Sequence, residues 1–234
     1  MIIRTEGIRE LIAELGAMAQ EQIPYATALT ITSLAGKVQA AETGTIASVF
    51  DRPTPYAINS IFKTSATKTK LTAKVWLKDR SATSKGNAAT DYLAPQILGG
   101  TRNQKPFEYW LTRAAILPAG WVTVPGRGAT INQYGNISQG QITQILSAMN
   151  ATPDTYQNSR RLGRVYVILW KPGTHIVDGI YKMVGGQPQC VLKFVRQANY
   201  KPLFKFYEVA ETVIEREWEA TAIESWQRAL DSAR

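Results

Sequence analysis

The sequence predicts an α+β fold: an antiparallel sheet of about four or more strands, packed with amino-terminal helices and a long carboxyl-terminal helix. Three observations predict it. Apolar residues recur at three- and four-residue steps near both ends of the chain. Three short stretches between Arg164 and Val195 are rich in β-branched and aromatic residues and are separated by Pro/Gly turns. Apolar and polar residues alternate between Lys70 and Lys78. No internal repeat is visible, and the 234 residues are read as one domain over 1–234.

The first element is an amphipathic helix over Thr5–Ala19, with Ile8, Leu11, Ile12 and Leu15 on one stripe and Thr5 as N-cap. Pro24, which lacks a backbone N–H, interrupts or restarts the helix. A second helix follows over Pro24–Val49. Its small apolar positions Ala28, Ile31, Leu34, Ala35, Val38 and Ala41 let a partner helix approach closely, although Gly36 and Gly44 weaken it.

The stretch Phe50–Arg80 organises the chain. Pro53 and Pro55 make a stiff corner, and Pro55 suits the first turn of a short helix running to Phe62. Lys70–Lys78 is expected to be a strand, joined to the later ones in one sheet. Asp79–Asn87 is a loop, Asp91–Gly100 a turn-rich segment and Pro106–Ala115 a helix. Pro118–Gly128, with two Pro and three Gly, is expected to be a loop anchored by Trp121. Ser138–Met149 is a helix, with Ser138 and Gln141 at capping-box spacing. Ala151–Gly163 is polar and expected to be mobile. Strands at Arg164–Trp170, Gly179–Val184 and Gln189–Val195 form a meander. The last helix, Phe206–Ser232, is expected to bury Phe206, Val209, Ala210, Val213, Ala220, Ile223 and Leu230.

The composition excludes some classes. No apolar run is long enough for a transmembrane helix, and the acidic residues of MIIRTEGIRELIAEL do not suit a secretory signal. A single cysteine, Cys190, rules out an intramolecular disulfide. The net charge of +9 is uneven: Tyr207–Arg234 holds three basic and seven acidic residues, a net of −4. A basic body with an acidic tail suits nucleic acid, an acidic protein surface or copies of itself packed head to tail.

No catalytic signature is present. His175, Cys190 and Asp178 contain the atoms of a cysteine–histidine pair, but no recognised pattern surrounds them, and they read as a surface histidine and a buried thiol. One His and one Cys do not make an ordinary zinc site, and no cofactor or metal is expected. Gly126, Gly128 and Gly135 fit no phosphate-loop spacing and read as turns. The basic run is the candidate site: Lys63, Lys68, Lys70, Lys74, Lys78 and Arg80, with Trp76 among them. As a strand it would place Lys70, Lys74, Trp76 and Lys78 on one face. Such a ribbon can track a phosphate backbone, or its lysines can guard a strand edge against wrong pairing.

The order of these features resembles the prophage minor tail protein Z family of phage tail-completion and neck proteins. The resemblance is carried by Gly7-Ile8-Arg9 through Pro24-Tyr25-Ala26-Thr27-Ala28-Leu29 to Ala41, by the basic stretch ending in Leu71-Thr72-Ala73-Lys74-Val75, and by Phe206–Leu230 with its Glu215-Arg216-Glu217 core. The segments FDRPTPYAINSIF, LPAGW and YGNISQGQI resemble those of longer prophage-encoded members. The resemblance implies a non-catalytic virion protein that joins head to tail or completes the tail. It implies assembly in the host cytoplasm as a homo-oligomeric ring that meets other neck or tail proteins, with DNA passing nearby and no membrane partner. It also makes about 79–163 a variable middle insertion. Arg52, Lys63, Lys68, Lys70, Lys74 and Lys78 would be its assembly or DNA-facing contacts. The alternative is a basic protein that binds the nucleic-acid backbone.

Overall fold

The structure, a computed structural model, describes residues 16, 18–79, 88–159, 162, 165–170, 177–197 and 199–232. Most of the expected helix over Thr5–Ala19 and most of the Asp79–Asn87 loop, Arg80 included, lie outside the described residues. The fold is α+β, with six α-helices and two antiparallel sheets of two and four strands among the described residues. The chain divides into two compact units, residues 1–93 with 203–234, and residues 94–202.

The first unit is built on two long helices. A π-turn, Met18–Gln22, leads into α1, Ile23–Val49, with Pro24 in its first turn, where a missing N–H costs nothing. Gly36 and Gly44 do not break α1, because packing rather than propensity holds it. The closing helix α6, Phe206–Asp231, lies along it. Lys37 meets Glu217 and Thr221, while Phe50 meets Phe204 just before α6, so the two helices run antiparallel. After α1, Thr54 caps the single-turn α2, Pro55–Ile58, by accepting from the Ala57 N–H at 3.1 Å. This helix is shorter than expected, because Phe62 already belongs to β1, Ile61–Thr64. β1 pairs antiparallel with β2, Lys74–Leu77.

Here two expectations are corrected. The strand starts at Lys74, not Lys70, because the Thr67 and Lys70 backbones pair with each other in a turn. It also does not join the later strands; among the described residues its sheet has two strands, β1 and β2. The segment 91–100 is corrected too: it belongs to a helix, α3, Ala89–Leu98, which contains Pro95 and ends at Gly99 and Gly100 with φ of 77° and 90°. The proline suggested a turn, but a ten-residue helix tolerates one lost hydrogen bond when its side chains are buried.

The second unit holds α4, Pro106–Arg113, and α5, Gln139–Ala148, over a sheet ordered β3-β6-β5-β4. The strands are β3, Trp121–Pro125; β4, Tyr166–Leu169; β5, Gly179–Val184; and β6, Gln187–Arg196. The meander β4-β5-β6 is as expected. Its fourth strand is β3, in the segment expected to be a loop, where Trp121-Val122-Thr123-Val124 is strand-forming despite its Pro/Gly flanks. The β5–β6 hairpin turns through Gly185 and Gly186, both at positive φ (56° and 80°), as a two-residue turn of this hand requires. A bulge opposite Ile180/Tyr181 lets the consecutive residues Val191 and Leu192 both be fully buried. Leu111, Leu117, Ile145, Ala148, Tyr166, Ile180, Val191, Leu192 and Phe194 form the core. α4 and α5 pack over this sheet, and within the first unit α1 and α6 pack on each other.

Buried charge ties this unit together. The Arg102 guanidinium donates to both Glu108 oxygens at 2.7 Å. The same carboxylate accepts from the Lys105 and Thr123 backbone N–H groups and from the Thr123 hydroxyl. Burial opposes ionisation of Glu108, yet these donors outweigh it and hold the carboxyl below its ordinary range. At α5, Ser138 accepts from the Gln141 N–H, but Gln141 does not reach back to it. Its amide oxygen instead accepts from the Thr130 N–H at 2.7 Å and fixes the preceding loop.

Candidate assembly surface

The β1–β2 hairpin has two unlike faces. Paired residues share a face, so Ile61, Leu77, Lys63 and Val75 lie on one side, and Phe62, Trp76, Thr64 and Lys74 on the other. Ile61 and Leu77 are buried, which makes theirs the inner side. The outer side carries Phe62 and Trp76 in an edge-to-face pair, 6.1 Å between centroids. The Lys78 ammonium lies 4.5 Å over the Phe62 ring, held by its π-face.

This geometry sorts the sequence-predicted residues. Lys74, Trp76 and Lys78 do share the outer face, but Lys70 lies in the turn before the strand and Lys63 on the inner side, its Nζ beside Gly36 of α1. Lys68 also lies in the connecting loop, 4.9 Å from the Tyr25 ring. Lys63, Lys68, Lys70 and Lys74 are exposed, and among the described residues none of them has an ion-pair partner. Arg52 is set apart. It stands at φ 48° in the Pro corner, and its guanidinium is held by the adjacent Asp51 at 2.9 Å, whose carboxyl that hydrogen bond lowers.

The second half of the surface is α6, where sequence reasoning missed the residues that matter. The buried row is Val213, Thr221, Ser225 and Ala229, with Glu217 between them. Ile223, expected in the core, is 64% exposed, as the buried row advances by four residues per step and leaves it outside. Small polar side chains fill the buried row because they let α6 come close to α1. Beside it runs an apolar row, Ile214, Trp218, Ala222 and Trp226, in which Trp218 is 52% and Trp226 40% exposed. The next row is Glu211, Glu215, Glu219 and Ile223, all exposed. The signal was present in the sequence as two adjacent rows at i+4 spacing, one aromatic and one acidic.

α1 separates these two surfaces. Its Thr32 hydroxyl accepts from the Ala66 N–H, and its Gln39 amide donates to Ile61 O at 2.8 Å, so this side faces the hairpin. Lys37, on another side, donates to Glu217 at 2.9 Å and Thr221 at 2.8 Å. Ala41 lines a groove with Val209, Thr212 and Val213 of α6. At about 100° per residue the two sets lie about 150° apart around α1. The Glu217 carboxyl is lowered first by Lys37 and then by Arg216, so the Glu215-Arg216-Glu217 run fastens α6 to α1 through its last member.

Of the other candidate groups, His175 lies outside the described residues. Burial pushes the Cys190 thiol up, the wrong direction for a nucleophile. Gly126 and Gly128 are close-approach positions: their N–H groups donate to Val191 O and Cys190 O. Gly135, at φ 76°, closes a turn from Asn132. Among the described residues no group of three His, Cys, Asp or Glu is arranged to hold a metal ion, and no helix is long and apolar enough to cross a membrane. No family model, curated protein or solved structure matches the chain.

Proposed function

We propose that this chain is a structural protein whose work is assembly, without catalysis. More narrowly, it is a tail-completion or head–tail joining protein of a tailed phage or prophage, acting as a homo-oligomeric ring among other neck or tail proteins in the virion. The observation that supports an assembly role is the row Ile214, Trp218 and Trp226, together with Ile223 and Tyr207, left in solvent on a helix whose other side is packed. A contiguous exposed apolar stripe rimmed by charge is a surface that another macromolecule covers. The phage setting is supported by the resemblance of the amino-terminal portion, the basic stretch, the closing helix and the segments FDRPTPYAINSIF, LPAGW and YGNISQGQI. A test is deletion of the coding sequence from the prophage followed by electron microscopy of the induced lysate. Heads and tails that accumulate unjoined, or tails with unfinished ends, are the expected result. Normal infectious particles would overturn the reading.

A second reading, contact with the nucleic-acid backbone, is favoured by a different observation. Residues 94–202 contain twelve Lys/Arg and three Asp/Glu, so the whole net charge of +9 resides in the second unit. Within it, Arg196 stacks 5.8 Å from Trp121, which pairs with the half-exposed Trp170 at 5.6 Å. In a ring this charge would suit a lumen through which DNA passes.

A further inference from the structure

We infer that the outer face of the β1–β2 hairpin of one copy docks on the exposed rows of α6 of the next copy, so that molecules add head to tail. The inference deepens the assembly reading and rests on it. The two surfaces match in charge. Lys74 stands on the outer face and Lys68 and Lys70 in the loop leading to it, while Glu211, Glu215 and Glu219 stand on α6; all six are exposed, and none has an ion-pair partner among the described residues. They also match in apolar character. Exposed Leu71 and the outward Phe62–Trp76 pair stand on the hairpin, against Ile214, Trp218 and Trp226 on the helix.

Geometry makes the contact intermolecular. The hairpin and α6 pack about 150° apart around α1, so within one chain the two surfaces face away from each other. Between copies they can meet. Because the two surfaces differ, the contact is heterologous and repeats, closing into a ring when the rotation per copy allows. The charge count favours a copy over other occupants. The first unit contains fifteen basic and fifteen acidic residues, so it is neutral overall while its signs are separated. A phosphate backbone would cover the lysines but be repelled by the glutamates, and an acidic protein would do the same. A second copy satisfies both surfaces at once.

The test uses the full chain and two triple variants, Lys68→Glu/Lys70→Glu/Lys74→Glu and Glu211→Lys/Glu215→Lys/Glu219→Lys. Masses are followed by native mass spectrometry and sedimentation velocity over a concentration series. Each variant alone places like charges at the contact and should weaken self-association about a hundredfold. An equimolar mixture should assemble again, with the two variants alternating, and so should one chain with both sets of changes. Circular dichroism and the thermal midpoint should stay near wild type. Should either triple variant fail to fold, the Lys→Gln and Glu→Gln versions remove attraction without adding repulsion, and about tenfold weakening is expected from each. The inference is overturned if either variant associates like wild type, if the mixture stays dissociated, or if the wild-type chain is monomeric at every concentration. The last outcome leaves the assembly reading standing on its own test, the appearance of particles from the deleted prophage.

Discussion

Glu42 is the residue where this fold is most at odds with its chemistry. It lies on α1 with no exposure, and among the described residues neither carboxylate oxygen has a hydrogen-bond partner. Burial alone pushes its carboxyl up from 4.5 to about 8. The folded chain therefore keeps Glu42 protonated at neutral pH, while the unfolded chain ionises it above about 4.5. In that window the folded state holds the extra proton, so stability falls as pH rises from about 4.5 to about 8 and is flat in this respect above it. Glu42→Leu removes both the orphaned group and its titration. We expect it to stabilise the chain by roughly 1–3 kcal/mol at pH 8.5, and by much less at pH 5. Urea unfolding of both proteins at the two pH values measures this. A difference that does not change with pH would show that Glu42 is ionised or solvated in the folded chain. Glu108 shows the opposite arrangement, since its equally buried carboxylate has donors on both oxygens and titrates below its ordinary range.

At the scale of elements, close backbone approach decides what the sheet tolerates. Gly179 opens β5 where a Cβ would fall inside van der Waals contact of Leu192 O on the paired strand. Gly179→Ala must push β5 from β6 at the centre of the second unit's core. A loss of about 1–3 kcal/mol is expected, read as a lower urea midpoint with an unchanged slope. Wild-type stability would show that the strands separate there at no cost. Such a contact is invisible in sequence, whereas the meander itself was legible from β-branched runs and the Gly185-Gly186 turn. The long helices were equally legible from their periodicity. β3 was not, because Pro118, Gly120, Pro125 and Gly126 outweighed four strand-forming residues between them, and only pairing with β6 decides the matter. α3 was missed through Pro95. On α6 the periodicity gave the helix and its buried Val213, but placed Ala220 and Ile223, both exposed, in the same stripe. Thr221 and Ser225 are buried against a small-residue partner helix, and two tryptophans are left outside. The lysine hairpin was found, but which lysines share a face depended on the register Thr64↔Lys74.

For the whole molecule, the two units divide the electrostatic work. The first is neutral with separated signs, which suits docking to its own kind; the second holds all nine excess positive charges, which suits phosphate. Duplex DNA should therefore bind at low ionic strength through residues 94–202, with affinity falling steeply as salt rises. Arg113, Arg127 and Lys201 are exposed cations of this unit. Changing all three to Gln should flatten the dependence of log affinity on log salt by about 0.9 for each phosphate that the chain then leaves unneutralised. The hairpin variant Lys68→Glu/Lys70→Glu/Lys74→Glu should leave that slope unchanged. Fluorescence anisotropy of a labelled duplex across a salt series measures both. If the hairpin variant flattens the slope and the Arg113/Arg127/Lys201 variant does not, the hairpin is the phosphate-facing surface. That outcome would end the assignment of DNA contact to the second unit, and head-to-tail docking would lose its lysines to a different partner.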